Sequence, residues 1–296
     1  MTKIVGIVGL GRMGKASAKR FIEKGYRVVG HERRPEAAEE LRSMGVEIRQ
    51  NGKEVAQRSK TVIVFVLNDQ QVIDVVTGAD GLLGACDRDS TVICMSTIKR
   101  DNLEWVTVQC QEKEVPFIDC PCTGGPARIE AGTLTMIAAA PREILEASRP
   151  VLDVLGKIVY VGERPGMGQA VKHCNQLLVG TTHAAVMEVI TMARKGGLDP
   201  RLVCDVIGSG IAGSDYFRLL SASVLDRKPS PGGLGQMCKD MDIVVHSGRH
   251  LKLPLYVATA AYHYFLAAQS LGMEDREASE LIKVLERISE PGGPKG

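Results

Sequence analysis

Three glycines near the start of the chain have the spacing of a dinucleotide-binding turn. Gly9, Gly11 and Gly14 follow a short apolar run and open a helical pattern that also contains Arg12 and Met13. In such a turn the first glycine permits a tight bend, the second lets the backbone approach a pyrophosphate, and the third lets the helix pack on the strand. The helix N-terminus then attracts the phosphates. The alternative is a glycine-rich turn that binds nothing.

A lysine and two amides share one face of a long helical pattern over residues 167–195. Lys172, Asn175 and Gln176 are spaced three and four residues apart, so their side chains point the same way. The pattern is poor in charge between Lys172 and Glu188. Burial lowers the pKa of a lysine until it can serve as a general acid or base near neutral pH. The alternative is a lysine that extends from the helix end to solvent.

The end of the second predicted strand carries residues that bear on cofactor choice. Glu32 lies eighteen residues beyond Gly14, where a carboxylate accepts the adenosine ribose hydroxyls of NAD and repels a 2′-phosphate. Arg33 and Arg34 follow at once, and arginine at this place can hold the 2′-phosphate of NADP. The two signals conflict, and the pattern favours NAD with NADP as the open alternative. The arginines could equally belong to a solvated loop.

Two further pairs of residues follow predicted strands, where open α/β sheets bind their ligands. Ser96 and Thr97 come after the strand at 91–95, and Leu67 and Asn68 come after the strand at 62–66. Each pair is a candidate to line the cofactor. The alternative is capping of the helix that follows, because Ser, Thr and Asn are good N-cap residues.

Two more candidates lie in a turn and in a late helix. Thr123, Gly124 and Gly125 follow the predicted strand at 116–119. Paired glycines can present backbone N–H groups to a carboxylate, and a hydroxyl adds a directed donor; a plain turn is the alternative. Lys239 and Asp240 lie in a helical pattern, where the local sequence favours a surface ion pair over a site.

The elements around these residues predict two domains. Residues 1–163 alternate apolar strands with helical patterns, which indicates an α/β, doubly wound, mostly parallel sheet of the Rossmann type. The predicted strands are 3–8, 26–30, 62–66, 91–95, 116–119, 133–139 and 157–161. Long helical patterns predominate afterwards, so residues 164–290 are expected to form an all-α domain, joined to the first by the long helix. Residues 291–296 resemble a flexible tail.

The composition excludes several classes of protein. The chain has 296 residues and 37 Lys and Arg against 35 Asp and Glu, and its net charge of +2 argues against a dedicated nucleic-acid binder. The first predicted strand begins at residue 3, in place of the pattern of a signal peptide. The apolar runs are shorter than a membrane span. We therefore expect a cytoplasmic protein without a membrane partner. The eight cysteines lack the spacing of a zinc site or a disulfide framework, so no metal is expected.

Taken in order, these segments resemble the β-hydroxyacid dehydrogenase family over nearly the whole chain. The matching segments are residues 9–14, 119–125, 131–136, 166–176 and 239–241. The resemblance implies NAD(P)-dependent, reversible oxidation of a small anionic 3-hydroxy acid, similar to 3-hydroxyisobutyrate, threonate or glycerate, by a homodimer or homotetramer. Segments 65–68 and 176–180 look nearest to the L-threonate dehydrogenase branch.

The resemblance also implies a role for each matched residue. Lys172 is implied to be the catalytic acid/base, and Asn175 to help hold the substrate hydroxyl or the lysine. The substrate carboxylate is implied to bind to Thr123, Gly124 and Gly125, and Lys239 to reach the nicotinamide edge and the substrate. The implied cofactor residues are Gly9, Gly11, Arg12, Met13, Gly14, Glu32, Arg33, Arg34, Leu67, Asn68, Ser96, Thr97 and Lys239.

Several residues depart from the family pattern and leave the substrate open. These are Thr123 for serine, Cys94 for aspartate, Asn68 for proline and Gln176 for asparagine. Two other classes remain as alternatives, namely an NADPH-dependent imine reductase and a non-catalytic cofactor-binding interaction module. Imine reductases of this scaffold usually lack the lysine, and non-catalytic relatives exist that have lost it. This chain keeps Lys172, which counts against both alternatives.

Overall fold

The computed structural model describes residues 3–230 and 232–289. The chain divides between Lys172 and His173 into two compact units, the first α/β and the second helical. This confirms the predicted fold class. The predicted domain bounds at residues 163 and 164 lie shortly before the division and stay a proposal. The predicted tail at 291–296 lies outside the described residues.

The first unit alternates strands and helices. Its strands are β1 (Ile4–Val8), β2 (Arg27–His31), β3 (Glu47–Arg49), β4 (Thr61–Val64), β5 (Thr91–Cys94), β6 (Phe117–Asp119), β7 (Cys122–Thr123), β8 (Leu134–Ala139) and β9 (Gly156–Gly162). Its helices are α1 (Arg12–Glu23), α2 (Pro35–Ser43), α3 (Gly52–Arg58), α4 (Asp69–Thr77), α5 (Arg100–Glu112), α6 (Gly125–Glu130), α7 (Arg142–Leu155) and the start of α8 (Met167–Lys195).

These strands form one sheet with a parallel part and a mixed part. The order β3-β2-β1-β4-β5-β6 is parallel throughout, with β1 between β2 and β4. The chain therefore leaves β1 towards β2 on one side and reaches β4 on the other, and such a switch point opens a crevice at the carboxyl ends of the strands. Beyond β6, strand β8 is antiparallel to β6 and β7 and parallel to β9.

The central strands are apolar along their whole length because both faces of the sheet are covered. Ile63 pairs with Ile93 in one buried cluster, and Val64 pairs with Cys94 in another. Successive side chains of a strand point to opposite faces, so the two clusters lie on opposite sides of the sheet. Such continuous apolar runs explain why the predicted strands agree with the structure to within two residues.

The structure contains two strands that sequence reasoning did not predict. β3 is a three-residue strand, Glu47–Arg49, whose charged ends give no apolar signal. β7 covers only Cys122–Thr123, where we expected a turn. The register pairs Thr123 with Thr135, so the chain continues along β8 before it turns. The expected turn therefore starts at Gly124 instead of directly after β6.

Over residues 173–230 and 232–289, the second unit contains the rest of α8 and five further α-helices. These are α9 (Pro200–Ser209), α10 (Asp215–Leu225), α11 (Leu234–His250), α12 (Tyr256–Ser270) and α13 (Ile282–Ser289). The range of α8 agrees with its prediction, and a 3₁₀ turn at Ala278–Leu281 precedes α13. In the described part of the chain, no helix is long and apolar enough to cross a membrane. The same residues bring together no three His, Cys, Asp or Glu side chains that could hold a metal ion.

Candidate active site

The glycine turn joins β1 to α1, and each glycine meets a different requirement. Gly9 has a φ of +91°, which favours glycine, and a Cβ there would lie 2.5 Å from the carbonyl oxygen of Phe65. A Cβ on Gly14 would lie 2.1 Å from the carbonyl oxygen of Gly9, so only glycine allows α1 to pack this closely. A Cβ on Gly11 would meet nothing within 4 Å, so the backbone is open at that residue.

The start of α1 fits a dinucleotide pyrophosphate. Gly11 is the N-cap residue, no side chain caps the helix, and its first turn contains no acidic residue. The first N–H groups of an uncapped helix attract anions, and the helix dipole adds to that attraction. Arg12 is exposed at the same helix end, and Met13 is half-buried.

The residues predicted from other strand ends share this edge of the sheet. Leu67 and Asn68 follow β4, and Ser96 and Thr97 follow β5. Since β1, β4 and β5 are parallel neighbours, their carboxyl ends meet at the glycine turn. Asn68 also caps α4, because its side-chain oxygen accepts a hydrogen bond from the N–H of Gln71 at 2.9 Å. The capping alternative therefore holds for Asn68.

Ser96 joins two strand ends and caps no helix. Its hydroxyl donates to the carbonyl oxygen of Val66 at 2.8 Å, and the side chain is buried. Helix α5 begins after Lys99, whose side chain makes no cap. Ser96 therefore fixes the loop after β5 to the loop after β4 and shapes the segment that carries Thr97.

The carboxylate of Glu32 is bound by Arg34. Both the Nε and the backbone N–H of Arg34 donate to Oε1 at 3.0 Å, and Nη2 donates to Oε2 at 3.3 Å. Burial alone would raise the pKa of Glu32, but the hydrogen bonds and charge of Arg34 outweigh it and lower the pKa. The residues that line an open pocket of about 510 Å³ at this strand end include Arg33, Arg42 and Arg49.

A buried carboxylate joins the end of β6 to the start of α8. Asp119 is fully buried, and its Oδ2 accepts hydrogen bonds from the backbone N–H of Gly166 at 2.8 Å and of Gln169 at 3.2 Å. Burial raises the pKa of Asp119 to about 6, although these hydrogen bonds act in the opposite direction. The first turn of α8 is thus capped by a residue of the sheet.

Lys172 lies one helical turn after this cap, beside strand β7. The residue is only 7% exposed. Burial raises the pKa of the Cys122 thiol to about 11, and the positive charge of Lys172 acts against that rise. Thr123 follows Cys122, and Gly124 and Gly125 then have φ values of +128° and +72°. The first unit therefore brings the lysine close to the strand that leads into the predicted carboxylate turn.

Two predicted site residues belong to the second unit. Asn175 follows on α8, and its side-chain oxygen is buried without a hydrogen-bond partner among the described residues. The ammonium of Lys239 lies 2.7 Å from the carboxylate of Asp240, which also accepts a hydrogen bond from Gln176 at 2.6 Å. Because Asp240 is only 2% exposed, the pair with Lys239 is not the surface ion pair of the alternative interpretation.

Sequence reasoning assigned no role to Asp119 and Gln169, which the structure joins. A signal was available directly before Lys172, where Gly166 and Gly168 precede Gln169. Gly166 has a φ of +94°, a left-handed conformation that favours glycine, so this residue is more than a simple helix breaker.

Two family models together match nearly the whole chain. Residues 4–162 match the NAD binding domain of 6-phosphogluconate dehydrogenase, and residues 166–285 match the NAD-binding domain of NADP-dependent 3-hydroxyisobutyrate dehydrogenase. The L-threonate dehydrogenase of Cupriavidus necator is 30% identical over 294 residues, which are 99% of each chain. The chain belongs to the β-hydroxyacid dehydrogenase family.

Solved structures agree with this family. The 3-hydroxyisobutyrate dehydrogenase from Salmonella typhimurium has a TM-score of 0.86 at 27% identity, covering 95% of this chain and 99% of that one. The structure of Psf3 in complex with NADP+ and 2-OPP gives a TM-score of 0.86 at 27% identity, covering 95% of this chain and 99% of that one. This β-hydroxyacid dehydrogenase is an NAD(P)-dependent oxidoreductase that acts on a small hydroxy acid.

Imine reductases share the fold at a greater distance. The enzyme from Pseudomonas sp. has a TM-score of 0.64 at 19% identity, covering 96% of this chain and 100% of that one. At this identity the likeness shows the fold alone.

Gly11→Ala and Gly14→Ala should separate cofactor binding from folding in this dehydrogenase. The new methyl at residue 11 enters open space, so the free energy of unfolding should change by less than about 1 kcal/mol. NAD(P) should bind at least about tenfold more weakly, because the methyl blocks the approach of the pyrophosphate. Gly14→Ala must displace the Gly9 carbonyl and should lower the unfolding free energy by about 1–3 kcal/mol. Denaturant unfolding and calorimetric titration measure the two effects. Unchanged cofactor affinity in Gly11→Ala would contradict the pyrophosphate assignment.

Asp119 should make folding stability fall as the pH rises from about 4 to about 6. Its pKa is raised by burial from 3.8 to about 6, so in this interval the folded state binds a proton that the unfolded state has lost, and unfolding free energy decreases with increasing pH. Asp119→Asn should remove that part of the slope. Urea unfolding at several pH values between about 4 and about 7 compares the two proteins. Equal slopes would refute the raised pKa.

Proposed function

We propose that this dehydrogenase reversibly oxidises a small anionic 3-hydroxy acid, with Lys172 as the general acid/base. The observation that carries the proposal is a buried lysine, 7% exposed, one turn beyond the junction of β6 with α8. Lysine can act as a general acid or base, and shielding from water favours the neutral amine that accepts a proton. The glycine turn for the cofactor lies in the same unit.

The proposed chemistry assigns the proton to this chain. In the oxidation direction the neutral amine of Lys172 takes the proton of the substrate hydroxyl. The hydride leaves the carbon atom that carries this hydroxyl. When bound, the nicotinamide supplies the acceptor of that hydride, or its donor in the reverse direction. In reduction the ammonium of Lys172 returns the proton to the carbonyl oxygen, which prevents a free alkoxide from accumulating.

The turn at residues 123–125 is proposed to hold the substrate carboxylate. The positive φ values of Gly124 and Gly125 present backbone N–H groups in a turn, and a Cβ on Gly125 would meet nothing within 4 Å. Thr123 adds a hydroxyl donor. Asn175 is proposed to hold the substrate hydroxyl, because its buried oxygen lacks a partner among the described residues. Lys239 stays a predicted contact of the cofactor and the substrate.

Two of the proposed substrates, threonate and 3-hydroxyisobutyrate, follow from the activities named for similar proteins, and glycerate shares their chemistry. Threonate, 3-hydroxyisobutyrate and glycerate are all small 3-hydroxy acids with one carboxylate. Each offers the hydroxyl that the lysine needs and the anion that the turn fits. The similarity to an L-threonate dehydrogenase over 99% of the chain makes a threonate-like acid the first candidate.

NADP is proposed as the preferred cofactor. The carboxylate of Glu32, which would accept the ribose hydroxyls of NAD, is already occupied by Arg34. Arg33 is exposed and lines a pocket where a 2′-phosphate would gain charge-assisted hydrogen bonds. Arg42 and Arg49 line the same pocket and pair with Glu39 and Glu47. The sequence alone favours NAD, because it shows Glu32 and Arg34 side by side but not that Arg34 binds the carboxylate of Glu32.

A homodimer or homotetramer in the cytoplasm completes the proposal. Leu202 and Val206 are exposed one turn apart on α9, and Tyr256 and Val257 are exposed at the start of α12. Exposed apolar side chains in groups are typical of interaction surfaces, and most oligomers join copies of one chain. All eight cysteines are free thiols, as is usual in a reducing compartment.

Lys172→Ala should reduce kcat by about 10²–10⁴-fold, the usual contribution of an acid/base group. Turnover is measured with L-threonate, 3-hydroxyisobutyrate and D-glycerate, using NAD and NADP, alongside cyclic imines. The matched control is Lys195→Ala, which removes an exposed lysine from the end of the same helix and should keep the parental kcat. Nearly full activity of Lys172→Ala, or turnover of imines alone, would refute the proposed function.

Arg33→Ala should weaken NADP+ binding by about 10–100-fold, the loss expected for one charge-assisted hydrogen bond to phosphate. NAD+ should bind within about twofold of its parental affinity, because it has no 2′-phosphate. Calorimetric titration with 2′,5′-ADP and 5′-ADP checks the same difference without turnover. Arg88→Ala, at an exposed arginine of the same unit, is the control. An equal loss for both cofactors would contradict a phosphate contact.

A further inference from the structure

One buried side chain connects the start of α8 to two strand ends. Gln169 is fully buried, and its Nε2 donates to the carbonyl oxygen of Ser96 at 3.0 Å and to Oδ1 of Asp119 at 3.1 Å. Its Oε1 accepts a hydrogen bond from the N–H of Ile98 at 3.1 Å. Both neighbours of Nε2 are acceptors and the neighbour of Oε1 is a donor, so only this orientation of the amide satisfies all three.

The backbone before Gln169 is built to reach the same carboxylate. Gly166 has a φ of +94° and donates its N–H to Asp119. A Cβ on Gly168 would lie 2.9 Å from Oδ2 of Asp119 and 2.8 Å from the carbonyl oxygen of Ile137. Two glycines therefore allow the first turn of α8 to lie directly against the end of β6.

This network lies between the proposed acid/base and the proposed cofactor loop. Lys172 follows Gln169 by three residues, so it lies on nearly the same side of α8 one turn further on. Ser96 and Ile98 flank Thr97 in the loop after β5, at the edge of the sheet that carries the glycine turn. A misplacement of about 1 Å in a reacting group can cost about a hundredfold in rate.

We propose that Gln169 and Asp119 are positioning residues that fix Lys172 relative to the loop after β5. The inference rests on the proposed role of Lys172. Gln169 and Asp119 transfer no proton in the reaction. They act by setting where the first turn of α8 lies against the ends of β5 and β6, and so where the lysine amine lies.

A double-mutant cycle tests this role. Gln169→Met keeps the size of the side chain and removes all three hydrogen bonds, and it is combined with Lys172→Ala. Single-turnover rates are measured at saturating substrate and cofactor, because they report the chemical step. Gln169→Met should lower the rate about 10–100-fold when Lys172 is present. In the Lys172→Ala background it should lower the rate by less than about threefold, because nothing remains to be positioned.

Two controls separate positioning from loss of stability and from loss of cofactor. Asn51→Ala removes the side-chain cap of α3, which accepts a hydrogen bond from Glu54, and should reduce stability without changing the single-turnover rate. The dissociation constant for NADP+ should stay within about threefold in Gln169→Met, because Ser96 remains tied to Val66.

The outcomes are distinct. An equal rate loss in both backgrounds, or a parental rate in Gln169→Met, would overturn the positioning role. A cofactor affinity lowered more than about tenfold with an unchanged rate would also overturn it, by assigning the network to cofactor binding. High activity of Lys172→Ala alone would instead refute the proposed function. If Gln169→Met does not fold, Asp119→Asn takes its place in the same cycle, with the same dependence on Lys172 expected.

Discussion

The common direction of the strands is the constraint on which the rest of the site depends. In a parallel sheet all carboxyl ends open on one edge, and the chain has to leave each strand through a loop there. The strands β1, β4, β5 and β6 therefore bring the glycine turn, residues 67–68, residues 96–97 and Asp119 to the same edge. At a switch point such as β1, the chain leaves in opposite directions on the two sides, which opens a crevice at that edge. The position of the proposed cofactor site thus follows from the order and direction of the strands before any single side chain is considered.

Two carboxylates at this edge show how their surroundings determine what they do. At Asp119, burial outweighs the backbone donors and raises the pKa to about 6. At Glu32, the bonds from Arg34 outweigh burial and lower the pKa. The buried carboxylate of Asp119 attaches the start of α8 to the sheet, because it accepts hydrogen bonds from the backbone of Gly166 and Gln169. The carboxylate of Glu32 holds Arg34 in place through both of its oxygens.

Local signals predicted most of the fold, and non-local contacts account for what they missed. The glycine turn and the range of α8 each occupy one continuous segment whose spacing has a physical meaning. Gln169 reaches Ser96 across 73 residues of chain, and no periodic pattern records such a contact. The pairing of Glu32 with Arg34 is close in sequence, but the side-chain conformation decides it. β7 is too short, at two residues, to show alternation.

The way in which α8 begins explains why its first turn matters. Helices are commonly capped by a side chain of their own N-cap residue, which satisfies the free N–H groups but leaves the helix able to shift as a whole. Gly166 has no side chain, and the cap comes from Asp119, 47 residues earlier and in the sheet. A cap from another element fixes the position of the helix as well as its end, and the buried amide of Gln169 adds a second attachment to the loop after β5. Lys172 follows within one turn of Gln169 in the same unit, so its position depends on this attachment.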